Sequence, residues 1–211
     1  MRELILKMSI SVDGFVADPD GGLKWVFDSD PEAAAWTVET VWNASLHIMG
    51  SRTFRDMAAF WPTSTEVYAP PMNQIPKAVF SRQGSAILKN VNTTAALKDA
   101  RAAGTGPSAG PQPGAESWAE AYVASGGLTE EVARLKAQDG KPIIAHGGAS
   151  FAAALAAQGL IDEYCLVIQP VAVGRGQALF AELPAALHLE LIEARGFECG
   201  VVVHIYRPRS R

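Results

Sequence analysis

Apolar and polar positions alternate along this chain in two rhythms. A period near two, or a short unbroken apolar run, recurs at 3–12 (ELILKMSISV), 46–50 (LHIMG), 78–82 (AVFSR), 141–146 (KPIIAH) and 163–173 (EYCLVIQPVAV), and each predicts a strand. A last pair of strands is predicted around 187–207. Between them the spacing turns helical. Asp30, Pro31 and Glu32 supply an N-cap, a first-turn proline and an early acid, which predicts a helix over 31–44. SRTFRDMAAFW restarts directly after Gly50 and stops at Trp61-Pro62, LTEEVARLKAQDG is amphipathic and closed by Gly140, and a third helix is expected at 149–158. The stretch SWAEAYVASGG fits strand or helix equally. Strands alternating with helices predict an α/β fold, a mixed, mostly parallel central sheet flanked by helices on both faces, with an antiparallel C-terminal hairpin.

Composition narrows the picture. With 211 residues, 48% of them hydrophobic, the chain is long enough for one core and short for two, so 1–211 is expected to be a single domain. Eighteen basic and 22 acidic residues without long blocks of one sign predict neither a nucleic-acid nor a membrane partner, which leaves small solutes. Cys165 and Cys199 offer no metal or disulfide spacing, and the N-terminal stretch lacks a cleavage site, so a reducing cytoplasm is expected and no metal. The stretch GTGPSAGPQPGAE at 104–116 is low in complexity and predicts a flexible surface loop. Just before it, TTAALKDARAA predicts a short helix within one excursion spanning about 84–117.

Chemistry concentrates at strand ends. In IIAHGGASFAAAL a buried strand runs into Gly147 and Gly148 and then a helix, an arrangement that offers an anion unpaired N–H groups and the positive end of a helix dipole. HIMGSRTF repeats it with Gly50, and Ser51, Arg52 and Thr53 lie in the first helical turn, where guanidinium and hydroxyl add donors for a phosphate. A third strand end carries Ser81 and Arg82. Three such ends, two with arginines, suit a dinucleotide bearing an additional ribose phosphate.

Here the chain resembles a known family. The stretches SISVDGFVADPDGGLKW, IMGSRTF, PKAVFSR, LTEEVARLKAQDGKPIIAHGGASFAAALAAQGLIDEY and PVAVGRGQALF, in this order, are similar to the dihydrofolate reductase-like proteins. Among these the chain looks most like the branch that shares the reductase domain of the riboflavin-biosynthesis deaminase-reductase. The resemblance implies NADPH as cofactor. It places Gly50, Ser51, Arg52 and Thr53 at the cofactor phosphates and Ser81 and Arg82 at the adenosine ribose and its 2′-phosphate. Gly147, Gly148, Ala149, Ser150 and Phe151 fall at the pyrophosphate, and Val16 and Ala17 beside the nicotinamide. It also implies a homodimer.

The implied reaction is hydride transfer to a small heterocyclic substrate of pterin or ribosylaminopyrimidine type, with Ser9, Trp25, Thr53, Met57, Trp61 and Gln169 as candidate walls. Arg175, between two glycines of PVAVGRGQALF, suits a ribose phosphate. Folate enzymes carry a carboxylate in the first helix, whereas the matching positions here are Ala33, Ala34 and Ala35, which argues against dihydrofolate. Asp13 and Glu32 are the candidate proton donors, and Asp30 and His146 are further options. Turn formation accounts equally for Asp13, and helix capping for Asp30 and Glu32. No H-x-E or P-C-x-x-C zinc motif is found, so a bifunctional deaminase is not expected. Two alternatives stand beside the general reductase: the 5-amino-6-(5-phosphoribosylamino)uracil reductase of riboflavin biosynthesis, and a non-catalytic NADPH-binding protein. The excursion either covers the active site, builds a dimer contact or hangs free.

Overall fold

The computed structural model describes residues 1–26, 30–89, 95–103 and 110–209. Strand β1 (Leu4–Ser11) leads through the short β2 (Phe15–Ala17) to α1 (Pro31–Trp42), followed by β3 (Leu46–Gly50), α2 (Ser51–Phe60), α3 (Ala69–Gln74) and β4 (Lys77–Phe80). The excursion carries α4 (Ala95–Ala103) and returns to β5 (Tyr122–Ala124). Then come α5 (Leu128–Lys136), β6 (Ile143–Ala145), α6 (Ala149–Ala157), β7 (Glu163–Gln169), β8 (Gln177–Ala178), β9 (Leu189–Gly196) and β10 (Val202–Pro208).

Among the described residues eight strands form one sheet in the order β5-β4-β3-β6-β1-β7-β10-β9, and β2 pairs with β8 in a second, small one. From β5 through β7 every pairing is parallel, while β10 runs antiparallel to β7 and β9 to β10. This is the expected architecture. Parallel strands need crossovers, and the crossovers bury both faces. Leu4, Leu6, Leu46, Ile48 and Ile143 pack under Val132 and Leu135 of α5 and Ala152 and Leu155 of α6. Met49 and Val79 meet Val41 of α1, Phe54 of α2 and Met72 of α3 on the other face. Nearer the hairpin, Cys165, Val167 and Val203 pack with Ala33 and Trp36 of α1.

Several boundaries shift for local reasons. Asp30 caps α1 through a 2.7 Å bond from the Ala33 amide, as its sequence position implies, but the helix ends at Trp42. Strand β7 stops at Gln169 because Pro170 has no N–H to continue the ladder. Ser81 and Arg82 lie just past β4, and His146 just past β6. The ambiguous stretch becomes a tight turn at Ala115–Trp118 and the short β5, which burial of Trp118 decides.

The excursion departs most from expectation. Residues 90–94 and 104–109 lie outside the described residues, and several of its described residues are packed. Ile87, Leu97 and Trp118 are each at most 4% exposed, and the Gln112 amide donates to Pro62 O at 2.7 Å. Its return is fastened to a buried polar node. Lys77 Nζ donates to Asn73 O, Ile75 O and Ser117 Oγ, while Trp118 Nε1 donates to Asn73 Oδ1.

Candidate functional site

Because β3, β4 and β6 are parallel neighbours, their C-terminal ends emerge at one edge and α2 and α6 begin side by side there. The backbone stitches these ends together. Gly50 N–H donates to Gly147 O at 3.2 Å, His146 N–H to Ile48 O at 3.0 Å, and Gly148 N–H to Thr53 Oγ1 at 2.7 Å. Ser51 Oγ reaches Phe80 O at 3.2 Å, which brings in the end of β4. The glycines are needed for close approach. A Cβ on Gly50 would lie 3.0 Å from Phe151 Cβ, one on Gly148 2.8 Å from Thr53 Oγ1, and one on Gly147 (φ +87°) 2.7 Å from Met8 Cε. Gly50, Ser51, Thr53, Gly147, Gly148, Ala149, Ser150 and Phe151 thus share one cradle, in which the first turns of α2 and α6 present amides without intrahelical acceptors.

The arginines of α2 point to different neighbours. Arg52 lies against the Gly21 turn: a Cβ there would be 3.6 Å from Arg52 Nη1 and 3.6 Å from Gln177 Nε2. Arg55, one turn later, reaches the end of β4 instead. Its Nη2 donates to Gln83 Oε1 at 2.7 Å, its Nε is buried without a partner among the described residues, and Gln83 N–H donates to Ser81 Oγ at 3.2 Å. Sequence reasoning missed Arg55, although its spacing of three from Arg52 was visible.

Val16 and Ala17 are buried in β2, which β8 flanks so closely that a Cβ on Gly176 would fall 2.2 Å from Ala17 O. The α1-facing side of β1 carries Lys7 and Ser9, in register with Cys165 and Val167 of β7. Gln169 is buried at the end of β7. His146 follows β6 and stacks edge-on against buried His47, with ring centroids 4.5 Å apart. Trp25 Nε1 is buried without a partner among the described residues. Met57 and Trp61 pack against the α1–α2–α3 core cluster, and Trp61 also contacts Phe60 and Tyr68. Arg175 is exposed on the loop before β8.

Electrostatics separate the candidate proton donors. The Asp13 carboxylate accepts from Ser11 Oγ at 2.6 Å, Gly174 N–H at 2.7 Å and Val173 N–H at 3.1 Å, and these bonds hold its pKa down to about 2. It is a clamp for the Arg175 loop and no proton donor at neutral pH. Glu32 pairs with Arg195 at 2.8 Å on the surface, and Asp30 combines its capping bond with one from Cys199 N–H. Burial, then the Lys7 and Lys77 charges, push His146 down to about 3, so it is a neutral imidazole and not an acid near pH 7. Lys7 is the residue that sequence reading passed over. Burial lowers its pKa, and among the described residues it makes no side-chain hydrogen bond or ion pair. Its signal was a lysine inside an otherwise apolar strand, LILKMSIS.

The RibD C-terminal domain model matches residues 2–203, nearly the whole chain. The chain belongs to the RibD C-terminal domain family. The Bacillus subtilis protein YyaP, named as an uncharacterized protein, is 25% identical over 208 residues, covering 97% of this chain and 94% of YyaP. Two solved structures share the RibD C-terminal fold. A pyrimidine reductase-like protein of Corynebacterium diphtheriae superposes with a TM-score of 0.64 at 14% identity, covering 100% of this chain and 93% of its own. The diaminohydroxyphosphoribosylaminopyrimidine deaminase/5-amino-6-(5-phosphoribosylamino)uracil reductase of Thermotoga maritima gives 0.65 at 14% identity; this chain is covered to 99% but spans only 57% of that protein. Membership makes this a RibD reductase-like protein with an oxidoreductase architecture. No helix among the described residues is long and apolar enough to cross a membrane.

Proposed function

We propose that this protein is an NADPH-dependent reductase of a pyrimidine-type heterocycle. The observation that carries the reading is the cradle of Gly50, Thr53 and Gly148 at the sheet edge, with the partly buried, unpaired Lys7 on the neighbouring strand β1. The residues fit the cofactor. Glycines at which a Cβ would crowd Phe151, Thr53 and Met8 leave the backbone open to a pyrophosphate, the first-turn amides of α2 and α6 supply donors, and Ser81, Arg82 and Arg55 stand at the strand end suited to the 2′-phosphate. When bound, NADPH supplies the hydride. Val16 and Ala17 form an apolar flank that keeps water from the reacting face, and Lys7 Nζ holds the proton that completes reduction. A lysine whose charged form is disfavoured by burial releases its proton more readily than a surface lysine. As a pure donor it also favours a ring that presents carbonyl oxygens, where a carboxylate would favour the amino groups of a pterin.

Arg175 and Arg52, which have no carboxylate partner among the described residues, favour a substrate that carries a phosphoribosyl group, as in the reaction named for the T. maritima protein. The edge strand β9 exposes Leu191 and Ile192, each 52% accessible, and this supports a homodimer through that edge. Sedimentation of the purified protein tests the dimer.

The deciding experiment is a fluorescence titration with NADPH and NADH in parallel, followed by NADPH oxidation assays with 5-amino-6-ribosylaminouracil and its 5′-phosphate. Tight, NADPH-selective binding with turnover on either pyrimidine supports the proposal. Failure to bind either nucleotide would refute it, and binding without turnover on any heterocycle would favour a non-catalytic NADPH-binding protein.

A further inference from the structure

The excursion after β4 joins the cleft through one carboxylate. We infer that Asp99 of α4 is a positioning residue of the cofactor cleft, holding the Asp18–Leu23 strap across its mouth and thereby setting how fast NADPH leaves. The inference rests on the proposed cofactor reading. The strap connects β2, with Val16 and Ala17, to the turn that carries Trp25. It is tied internally by Asp18, whose Oδ1 accepts from Gly22 N–H at 2.6 Å and Asp20 N–H at 2.9 Å. From one side Arg52 of α2 and Gln177 of β8 approach Gly21. From the other, Asp99 Oδ2 accepts Leu23 N–H at 2.8 Å across 76 positions of sequence. The fit is tight: a Cβ on Gly22 would lie 2.4 Å from Asp18 Oδ2 and 3.0 Å from Asp99 Oδ2.

Helix α4 is a firm base for this bond. Leu97 is 1% exposed, and Arg101 Nη2 reaches Ala59 O of α2 at 3.4 Å. Since α2 also opens the phosphate cradle with Ser51 and Thr53, α4 links the cradle to the strap. Without Asp99 the Leu23 amide loses its acceptor, and the strap keeps only its internal Asp18 bonds and the contact of Arg52 and Gln177 at Gly21.

The test compares full-length wild type with Asp99→Ala and Asp99→Asn by stopped-flow displacement of NADPH, together with hydrogen exchange at the Leu23 amide. Loss of a bond to a charged acceptor should accelerate both NADPH release and Leu23 exchange by about tenfold or more in Asp99→Ala. The asparagine keeps an acceptor oxygen, so it should restore most of the wild-type rate. Should Asp99→Ala fail to fold, Gly22→Ala, which wedges the strap off both carboxylates, must accelerate release in its place. NADPH release within about twofold of wild type despite faster Leu23 exchange would overturn the inference and leave the cofactor reading standing. A wild-type protein that binds no NADPH defeats the cofactor reading first and this inference with it.

Discussion

Thr53 Oγ1 accepts the Gly148 amide at 2.7 Å, joining two strand-to-helix turns that are 95 positions apart in the chain. This bond sets the width of the cradle. Thr53→Val keeps the shape but removes the acceptor, and should weaken NADPH binding about tenfold while costing ~1 kcal/mol of stability. Thr53→Ser should retain both. Calorimetric titration and thermal melts of the two variants check this, and equal behaviour of valine and serine would show that the hydroxyl is idle.

The three arginines at the cleft should separate by cofactor. Arg82→Ala and Arg55→Ala should each lower NADPH affinity by about 10- to 100-fold and leave NADH nearly unchanged, since each removes a charge-assisted donor from the end of β4. Arg52→Ala should affect the two nucleotides alike, because this side chain lies against Gly21 and Gln177. Dissociation constants for the six combinations decide the point. A selective loss in Arg52→Ala would return that residue to the 2′-phosphate.

Lys7 should trade stability for activity. A partly buried ammonium without a hydrogen-bond or ion-pair partner among the described residues costs stability, so Lys7→Met should raise stability by up to ~1 kcal/mol. The same variant should lower NADPH oxidation by about 100-fold or more with little change in NADPH affinity. A melt and a steady-state assay read both effects. A less stable or fully active variant would remove Lys7 from the proton-donor role.

Lys77 gives a pH dependence of definite sign. Burial lowers its pKa to about 7 from the ordinary 10.5, so between these values the unfolded chain holds a proton that the folded chain has released. Stability from this group is full above about pH 10.5 and is lost as the pH falls through that window toward 7. Lys77→Met orphans the Asn73 and Ile75 carbonyls and should cost ~1–3 kcal/mol at alkaline pH. The deficit should narrow as the pH falls toward 7. Urea unfolding of both proteins across the window measures the gap, and a gap that widens on acidification would show that the node prefers the charged lysine.

What the sequence by itself determined was whatever local periodicity and backbone conformation encode. The alternation of strands and helices, the Asp30 cap of α1 and the glycines of the cradle were legible because each need is met within a few residues: a hydrophobic face, an N-cap oxygen, or a backbone without a Cβ. Only the tertiary structure decided which charges are free and which are spent. Asp13 looked available until Gly174, 161 positions away, was found to saturate it, and Glu32 until Arg195 closed on it across 163. The excursion of about 84–117 read equally as a cover, a dimer contact or a free loop, and Asp99 and Trp118, on either side of GTGPSAGPQPGAE, are fastened to Leu23 and Asn73. Lys7 drew no notice in the sequence until the sheet placed it partly buried near His146. A side chain's charge and reactivity depend on dielectric and partners, and both are set by chain segments that sequence spacing does not bring together.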